Sequence, residues 1–299
     1  MAYDKSYLGD QVATGVLIPT VQGISGILPG VTVKPELAGL IGAEKADFWY
    51  DLAPAVEEAD AGDDFDTAQV GSKKATIVMT KALHADEKIP QVAIDAINID
   101  VVGAKTVQLA QAIGNGLGKR FYNNLVALAQ KKTYTNSATM IDAIAEGIQT
   151  FTSGASVLID GASDTTFSNS TNGILPTTLV VSTVGLKKLR QDADFKALFD
   201  GQGNLPGTIG TLFGLQVVYS QHLDTIDVIA GTGGVQPAEF VLLNFQGVAF
   251  PYSLNMLRAI PSENFNGVRL QAEVVYPDHA EASVLVIDSY AMAFTEAAA

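Results

Sequence analysis

The stretch from Pro176 to Leu223, PTTLVVSTVGLKKLRQDADFKALFDGQGNLPGTIGTLFGLQVVYSQHL, holds the pattern that decides the fold. Near its start, residues 179–181 form a short apolar run bounded by Pro176 upstream and Ser182 downstream. A run of this length between turn-forming residues is typical of a strand buried on both faces. The sequence therefore predicts a buried strand here, with a helix after it.

The predicted helix begins after Thr183, whose side chain can cap the first turn. It is expected to end before Gly201, because glycine and proline dominate the chain from that point. Lysine, arginine and aspartate residues alternate with the apolar ones, as on a helix with one buried face. The apolar positions at roughly helical spacing are Val184, Leu189, Phe195, Leu198 and Phe199.

Residues 201–210 carry four glycines and Pro206, which predicts a long loop without regular structure. The turn signal Phe213-Gly214-Leu215 follows the loop. A second strand is then predicted at Val217-Val218-Tyr219.

The order of strand, helix, Gly-rich loop, GTIGTLFGLQVV and polar exit resembles the major capsid proteins of tailed bacteriophages, of the Hong Kong 97 type. The resemblance implies an α+β fold. This fold has an N-terminal arm, an extended hairpin loop, a peripheral domain with a long spine helix, and an axial domain. The quoted stretch would lie in the axial domain, which packs around the five- and six-fold centres of an icosahedral shell.

The resemblance also implies a division of the chain. Residues 1–45 would form the N-terminal arm, and residues 46–90 the extended hairpin loop. Residues 91–131 together with 251–299 would form the peripheral domain, and residues 132–250 the axial domain.

The composition favours a protein that meets other subunits. Of the 299 residues, 47% are hydrophobic and 17% charged, below the quarter or so of charged residues usual in soluble domains. The absence of cysteine excludes disulfides and thiolate metal sites. No apolar run of 18 or more residues and no signal-peptide pattern occurs, so we expect no membrane association and a protein that stays where it is made. The resemblance to phage capsid proteins implies that this place is the cytoplasm of the bacterial host, where the shell would assemble.

The net charge of −14 argues against direct nucleic-acid binding, because the cations are scattered and form no basic stripe. An acidic inner wall would suit a container for DNA, since it would not hold a polymer that must move as it enters.

Two strands joined by an acidic tip predict a long hairpin. The acidic stretch at 57–66 precedes Gly71-Ser72-Lys73-Lys74 and a strand-like run, Ala75 to Met79. The stretch does not match the D-x-[DN]-x-[DN]-G pattern of calcium loops, so a solvated loop is favoured over a metal site. The hairpin is similar to the extended loop of the resembled capsid family, which lies over the adjacent subunit. The resemblance therefore implies contacts with neighbouring subunits, and the residues expected to make them are Asp60, Asp63, Asp64, Lys73 and Lys74.

A largely helical region is predicted from Gln91 to Lys131, which the resemblance identifies as the spine helix with a short stretch before it. The apolar stripe Leu109, Ile113, Leu117, Phe121 and Leu125 should face a core.

Three glycines interrupt the predicted spine helix, at positions 114, 116 and 118. Each costs about 1 kcal/mol relative to alanine inside a helix, so a kink or close packing must compensate. The spot is not a phosphate loop, because Ile113 and Arg120 stand where the motif needs glycine and Ser or Thr.

The later part of the chain predicts alternating short elements. A helix is expected from Met140 to Phe151, and a hairpin from the strands 157–159 and 165–167. Further strands are expected at 228–229 and 240–243. The alternating residues 269–276 predict a half-buried strand, and Val284 to Ile287 a return strand that ends near Phe294. The resemblance makes these last two strands the closing pair of the peripheral domain, against the spine helix.

No catalytic constellation is visible. The three histidines, His84, His222 and His279, lie far apart, and no H-E-x-x-H, G-x-S-x-G or S-x-x-K motif occurs. His84 is the best base candidate, although a surface or interface histidine is the favoured interpretation. The sequence thus predicts no catalytic residue, no cofactor and no metal.

The favoured hypothesis is a capsid protein that assembles into the head shell of a tailed phage and encloses double-stranded DNA. Its expected partners are other copies in pentamers and hexamers, a separate scaffolding protein and a portal, with a decoration protein left open. An encapsulin-like nanocompartment shell and an α/β enzyme with an unrecognised site are the alternatives. Terminase and portal genes nearby would indicate a phage, and a cargo peroxidase or ferritin-like gene an encapsulin.

Overall fold

The structure is a computed structural model, and it describes part of the chain. The described residues are 45–51, 72–96, 101–134, 139–153, 158–159, 162–163, 175–192, 195, 208–229, 235–244, 248–261, 266–278 and 291–296.

A four-stranded antiparallel sheet forms around one long hairpin. Its spatial order is β1 (Lys45–Asp51), β2 (Ser72–Pro90), β13 (Gly267–Pro277) and β12 (Ser253–Pro261). The 19 residues of β2 pair with β1 along the first part of the strand and with β13 along the rest. At about 3.3 Å per residue the strand spans roughly 60 Å. The two strands of the predicted hairpin are thus confirmed, and β2 runs well beyond Met79.

A six-stranded mixed sheet forms the second layer. The strands are β3 (Gln130–Tyr134), β6 (Thr178–Val181), β7 (Thr208–Leu212), β8 (Leu215–Tyr219), β11 (Phe240–Leu243) and β14 (Ala291–Glu296). Their spatial order is β3, β14, β11, β6, β8, β7, with parallel pairing of β3 with β14 and of β6 with β8.

Two small antiparallel pairs complete the described strands. The first joins β4 (Leu158–Ile159) to β5 (Ala162–Ser163), and the second joins β9 (Asp227–Ile229) to β10 (Val235–Pro237).

The six-stranded sheet is covered on both faces. The helices are α1 (Gln91–Ala96), α2 (Val101–Leu128), α3 (Met140–Ser153) and α4 (Thr183–Gln191), with a 3-10 turn at Gln221–Thr225. Successive strand residues point to opposite faces. Val180 therefore packs in one core with residues of α2, while Leu179 packs in another with residues of α3 and α4. All four residues of β6 are buried, which confirms the strand predicted to be buried on both faces.

The core beneath α2 also joins the two sheets. It contains Val241 of the six-stranded sheet and Val274 of the four-stranded sheet, both against the helix. The apolar stripe predicted along the spine helix is buried in this core, from Leu109 to Leu125. Helix α2 thus holds the long hairpin against the rest of the fold.

The glycines of α2 are explained in part by close packing. The helix is continuous from Val101 to Leu128, and Gly114 and Gly118 are buried in it. A Cβ atom on Gly116 would lie 3.2 Å from Cδ1 of Leu83, a residue of β2. Of the two explanations expected from the sequence, close packing against another element holds at Gly116.

The turn between β7 and β8 has both central residues in the left-handed region. Phe213 has φ 53° and Gly214 has φ 79°, and Leu212 pairs with Leu215 across the turn. Tight two-residue hairpins require this geometry, and glycine adopts it without strain. Phenylalanine does not, and it costs about 1 kcal/mol or more there. The turn predicted at this point is confirmed.

The start and end of α4 differ from the prediction. Ser182, and not Thr183, caps the helix, because its Oγ accepts the N–H of Gly185 at 3.1 Å. The helix ends at Gln191, well before Gly201, and Asp192 caps it in an extended conformation. Val184, expected on the buried face, is 43% exposed, whereas Leu189 is buried as predicted. Leu198 and Phe199 lie outside the described residues.

Three other boundaries were also wrong. The predicted loop at 201–210 gives way to strand β7 at Thr208, since antiparallel pairing with β8 supplies hydrogen bonds that the glycines do not prevent. The helical region predicted to run to Lys131 ends at Leu128, the last residue of α2, because residues 130–134 pair with β14. Strand β4 pairs with 162–163 instead of 165–167, which the structure does not describe.

The predicted closing pair of strands is not a pair. Strand β13 has the predicted alternation of burial but pairs with β2 and β12, whereas β14 lies in the six-stranded sheet between β3 and β11. Long-range pairing decides this separation, which burial periodicity alone does not report. Val284 to Ile287 lie outside the described residues. The predicted domain ranges stay a prediction.

Candidate functional site

The hairpin of β1 and β2 carries the residues predicted to contact neighbouring subunits. Lys73 and Lys74 lie in β2 at the end remote from α1, with backbone partners Tyr50 and Trp49 on β1. Asp60, Asp63 and Asp64 lie outside the described residues. The structure thus places the two lysines next to each other on one strand, and the contact role of all five residues stays a prediction.

A row of charged residues runs across the face of the four-stranded sheet opposite α2. Nε of Arg269 donates to both carboxylate oxygens of Asp86 at 2.9 Å, and Nη2 also contacts Asp86. The hydrogen bond and the charge of Arg269 hold the pKa of the Asp86 carboxyl below its usual range. Both side chains are exposed, so the pair contributes little to the stability of the subunit. The row exposes side chains of both charge signs to solvent.

His84 belongs to the same row. Its Nδ1 lies 3.0 Å from Oε2 of Glu273, its register partner on β13, and the His84 side chain is 65% exposed. The interpretation of His84 as a surface residue is therefore confirmed. His279 lies outside the described residues.

His222 has a different environment. Its ring stacks on Tyr122 with centroids 5.8 Å apart. Burial, and then the nearby charge of Lys119, lower the pKa of His222. His222 lies in the 3-10 turn and Tyr122 lies in α2, so the two rings stack because this turn packs onto the helix.

A buried polar cluster lies between α4, β3 and β11. Nζ of Lys188 lies 2.7 Å and 2.9 Å from the two carboxylate oxygens of Glu239, and 3.2 Å from the hydroxyl of Tyr134. The hydroxyl of Tyr134 donates to Glu239. Glu239 and Tyr134 are buried, so the lysine compensates a carboxylate that could not be buried alone. We call these three residues the 134–188–239 cluster.

Sequence reasoning missed this cluster. Lys188 looked like one of several surface cations on α4, and Glu239 stands directly before a buried strand. The one available signal was the charged residue in the otherwise apolar run from Ala238 to Leu243, which demands a partner of opposite sign.

A second polar group caps the start of α4. The backbone N–H of Thr183 donates to Oδ1 of Asp224 at 2.8 Å, and its hydroxyl donates to the same carboxylate. The hydroxyl also lies 3.0 Å from that of Tyr219. A carboxylate at a helix N-terminus is favourable because it meets the unsatisfied N–H groups and the positive end of the helix dipole. This group is exposed and explains why Thr183 does not act as the cap.

Within the described residues, no three His, Cys, Asp or Glu side chains are placed to hold a metal ion. In the same part of the chain, no helix is both long enough and apolar enough to cross a bilayer. The Gly114–Arg120 segment, whose sequence does not match a phosphate loop, is an internal part of α2.

Alkaline pH should destabilise the subunit through two buried tyrosines. Burial raises the pKa of Tyr122, and burial and the neighbouring Glu239 raise that of Tyr134. The folded pKa values lie above the unfolded value of about 10, so this stability is fully present below pH 10 and is lost as the pH rises. The unfolding free energy should fall by up to about 1.4 kcal/mol per pH unit for each tyrosine.

Urea unfolding of unassembled subunits between pH 9 and pH 11 measures this slope. Tyr122→Phe should flatten it, and Tyr219→Phe, at an exposed position, serves as the control. An unchanged slope in Tyr122→Phe would contradict the burial of this hydroxyl.

Comparison with known proteins identifies the fold. The sequence matches no protein-family model and no curated protein. The structure is similar to the capsid of Ralstonia phage GP4, with TM-score 0.57, 9% identity and 86% of each chain covered. It is similar to a chain of Mycobacterium phage Che8, with TM-score 0.55, 16% identity and 89% of each chain covered. It is also similar to the capsid of Cyanophage P-SCSP1u, with TM-score 0.54, 13% identity, and 90% of this chain and 87% of that chain covered. The chain therefore has the α+β, Hong Kong 97-type fold, and the resemblance seen in the sequence is confirmed.

Proposed function

We propose that this chain, which has the fold of phage capsid subunits, is a major capsid protein that assembles into the icosahedral head of a tailed phage. The observation that carries the proposal is a fold likeness to the capsids of two phages, which covers 86–90% of this chain and of the chains compared with it. Because the match covers most of each phage chain, those chains have no large further domain that could account for their role in the capsid.

The surface of the subunit supports an assembly role. Strand β1 pairs with β2 alone, so the hairpin ends in an edge strand of the described structure. Edge strands invite pairing with another chain unless they are covered. Large apolar side chains are exposed at separate places, which suits a subunit that meets several copies. They are Val92, Leu175, Val184, Phe213 and Tyr219.

The finer parts of the proposal follow from the same role. Copies form pentamers and hexamers, a separate scaffolding protein and a portal assist assembly in the host cytoplasm, and double-stranded DNA fills the shell without sequence-specific binding. A decoration protein would bind the outer surface. The charge of −14 supports a wall that does not retain DNA.

Electron microscopy with mass photometry tests the proposal. The protein is expressed alone and with the neighbouring candidate scaffold gene. Hollow shells, or rings of five and six, are the expected result, and a uniform monomer or dimer under both conditions would overturn the proposal. Protein cargo instead of DNA in particles from the native source would favour an encapsulin-like shell.

Removing charge from the hairpin should weaken particles without unfolding the subunit. The variant combines Asp63→Ala, Asp64→Ala and Lys74→Ala. Each exposed ion pair contributes only about 0–1 kcal/mol, but the loss recurs at every copy of the interface. Thermal disruption of particles, followed by light scattering, should occur at a lower temperature, while the circular dichroism of free subunits stays unchanged.

The control removes two exposed charges elsewhere, Glu146→Ala and Lys187→Ala. If particles of the hairpin variant break up at the same temperature as the control particles, these residues do not take part in the contact.

A further inference from the structure

A polar cleft opens beside the C-terminal half of α2. Its volume is about 390 Å³. Helix α2 contributes one face to it, because residues 120, 123, 124 and 127 are spaced by three and four positions. The other walls come from β2 and from the end of β13. The lining residues are Lys81, Arg120, Asn123, Asn124, Ala127, Tyr276 and Asp278.

The cleft presents hydrogen-bond donors and a net positive charge. Lys81 lies 3.3 Å from Asp278, so one of the two cations is already compensated by the single carboxylate. Arg120 makes no hydrogen bond or ion pair with any residue that the structure describes. The guanidinium therefore remains available to an anionic group. Arginine binds carboxylates in a bidentate way, with more geometric specificity than lysine.

The floor of the cleft is held in place. Asn124 is 3% exposed, and its Nδ2 donates to the carbonyl oxygen of Pro277 at 2.8 Å. This bond ties α2 to the end of β13, and Tyr276 is also buried beside it. The donors around Arg120 thus sit on rigid elements and not on a loop, as a preformed binding site requires.

We infer that this cleft binds carboxylate side chains of the acidic stretch 57–66 of another copy of the chain. The stretch has six carboxylates and no lysine or arginine, so it needs cations from elsewhere. The inference rests on the proposed function, which supplies the second copy, and adds the surface that receives the hairpin tip.

Chain length favours another copy over the same one. Lys81 lies nine residues along β2 from Ser72, the last paired residue of the hairpin, which is roughly 30 Å. Asp66 lies six positions before Ser72 and Glu57 lies six positions after Asp51, and six positions of extended chain span at most about 22 Å. The ends of the acidic stretch therefore cannot reach their own cleft, and its middle would reach only with both halves fully extended. A second copy has no such limit.

The test measures binding of a synthetic peptide of residues 55–68 to unassembled subunits at low ionic strength. Fluorescence polarisation follows the peptide. We expect Arg120→Glu to weaken binding at least about tenfold, because a charge-assisted contact becomes a repulsion. Lys119→Glu is the matched control, since Lys119 is the adjacent exposed cation on α2 but does not line the cleft. Its binding should stay within about twofold of the unchanged protein, and circular dichroism verifies that both variants fold.

The outcomes separate this inference from the proposed function. Equal weakening by both variants, or no binding of the peptide up to millimolar concentration, would overturn the inference even if shells form. Absence of shells would overturn the proposed function, and the peptide titration would still decide whether the cleft binds the acidic stretch. In particles, Arg120→Glu combined with Asp63→Lys and Asp64→Lys should restore the assembly that Arg120→Glu alone reduces. Failure of this charge exchange to restore assembly would also count against the cleft.

Discussion

Gly185→Ala is expected to lower the free energy of unfolding of the subunit by about 2–3 kcal/mol. A Cβ atom at this position would lie 2.4 Å from the carbonyl oxygen of Glu239. That carbonyl accepts the N–H of Ser182 at 2.9 Å, and the N–H of Glu239 donates to Phe294 at 2.9 Å. The obstacle is thus backbone held from two sides, so neither α4 nor β11 can move away at low cost. The higher helix propensity of alanine recovers about 1 kcal/mol at most.

Urea unfolding followed by circular dichroism measures this change on unassembled subunits. Gly116→Ala is the matched control, because its Cβ would meet a side chain and no backbone: Cδ1 of Leu83 at 3.2 Å and Cδ2 of Leu83 at 3.7 Å. A leucine side chain can move by a few tenths of an ångström, and the substitution also favours the helix. We expect Gly116→Ala to change the unfolding free energy by no more than about 1 kcal/mol. Similar unfolding midpoints for the two variants would contradict the close approach of α4 to Glu239.

Lys188→Met should also be strongly damaging, with a loss of about 2–4 kcal/mol in the free energy of unfolding. It leaves the buried carboxylate of Glu239 with the Tyr134 hydroxyl as its remaining partner in the cluster. Removing one member of a buried ion pair costs about 3–5 kcal/mol, and the 30% exposure of the Lys188 side chain reduces that figure. Methionine keeps most of the volume, so the effect reports the charge and not a cavity.

The double variant Lys188→Met with Glu239→Gln should recover part of the loss. The neutral amide is cheaper to bury than an uncompensated carboxylate, so the two changes should not be additive. Lys187→Met is the control, because Lys187 is the adjacent exposed cation on α4. Urea midpoints of all three variants at pH 7 give the comparison. A loss of less than about 0.5 kcal/mol in Lys188→Met would show that the ion pair does not stabilise the fold.

The 134–188–239 cluster and the cleft around Arg120 show where local sequence patterns ceased to be informative. Both bring together residues more than 50 positions apart, Lys188 with Glu239 and Arg120 with Asp278. No local spacing links such residues, because their proximity arises from sheet order and helix packing. The five hairpin residues could be proposed from the sequence because they lie in one local hairpin.

Local patterns by themselves determined three of the buried faces. The apolar run at 179–181, the alternation in 269–276 and the stripe along α2 each indicated a face, and the structure confirms all three. Their order along the chain also identified the fold. The physical reason is that burial periodicity follows from the geometry of one helix or strand, whatever its partner.

Tertiary structure alone decided which partners those faces meet. It placed β14 between β3 and β11 and not beside β13, and it made a strand of the glycine-containing residues 208–212. It also ended α2 at Leu128, so that residues 130–134 could pair with β14. Strand pairing depends on hydrogen bonds between the backbones of distant segments, and the main chain of every residue except proline can both donate and accept them. The sequence therefore specifies the buried faces, and only the packed chain specifies the sheet order and the clusters that lie between its elements.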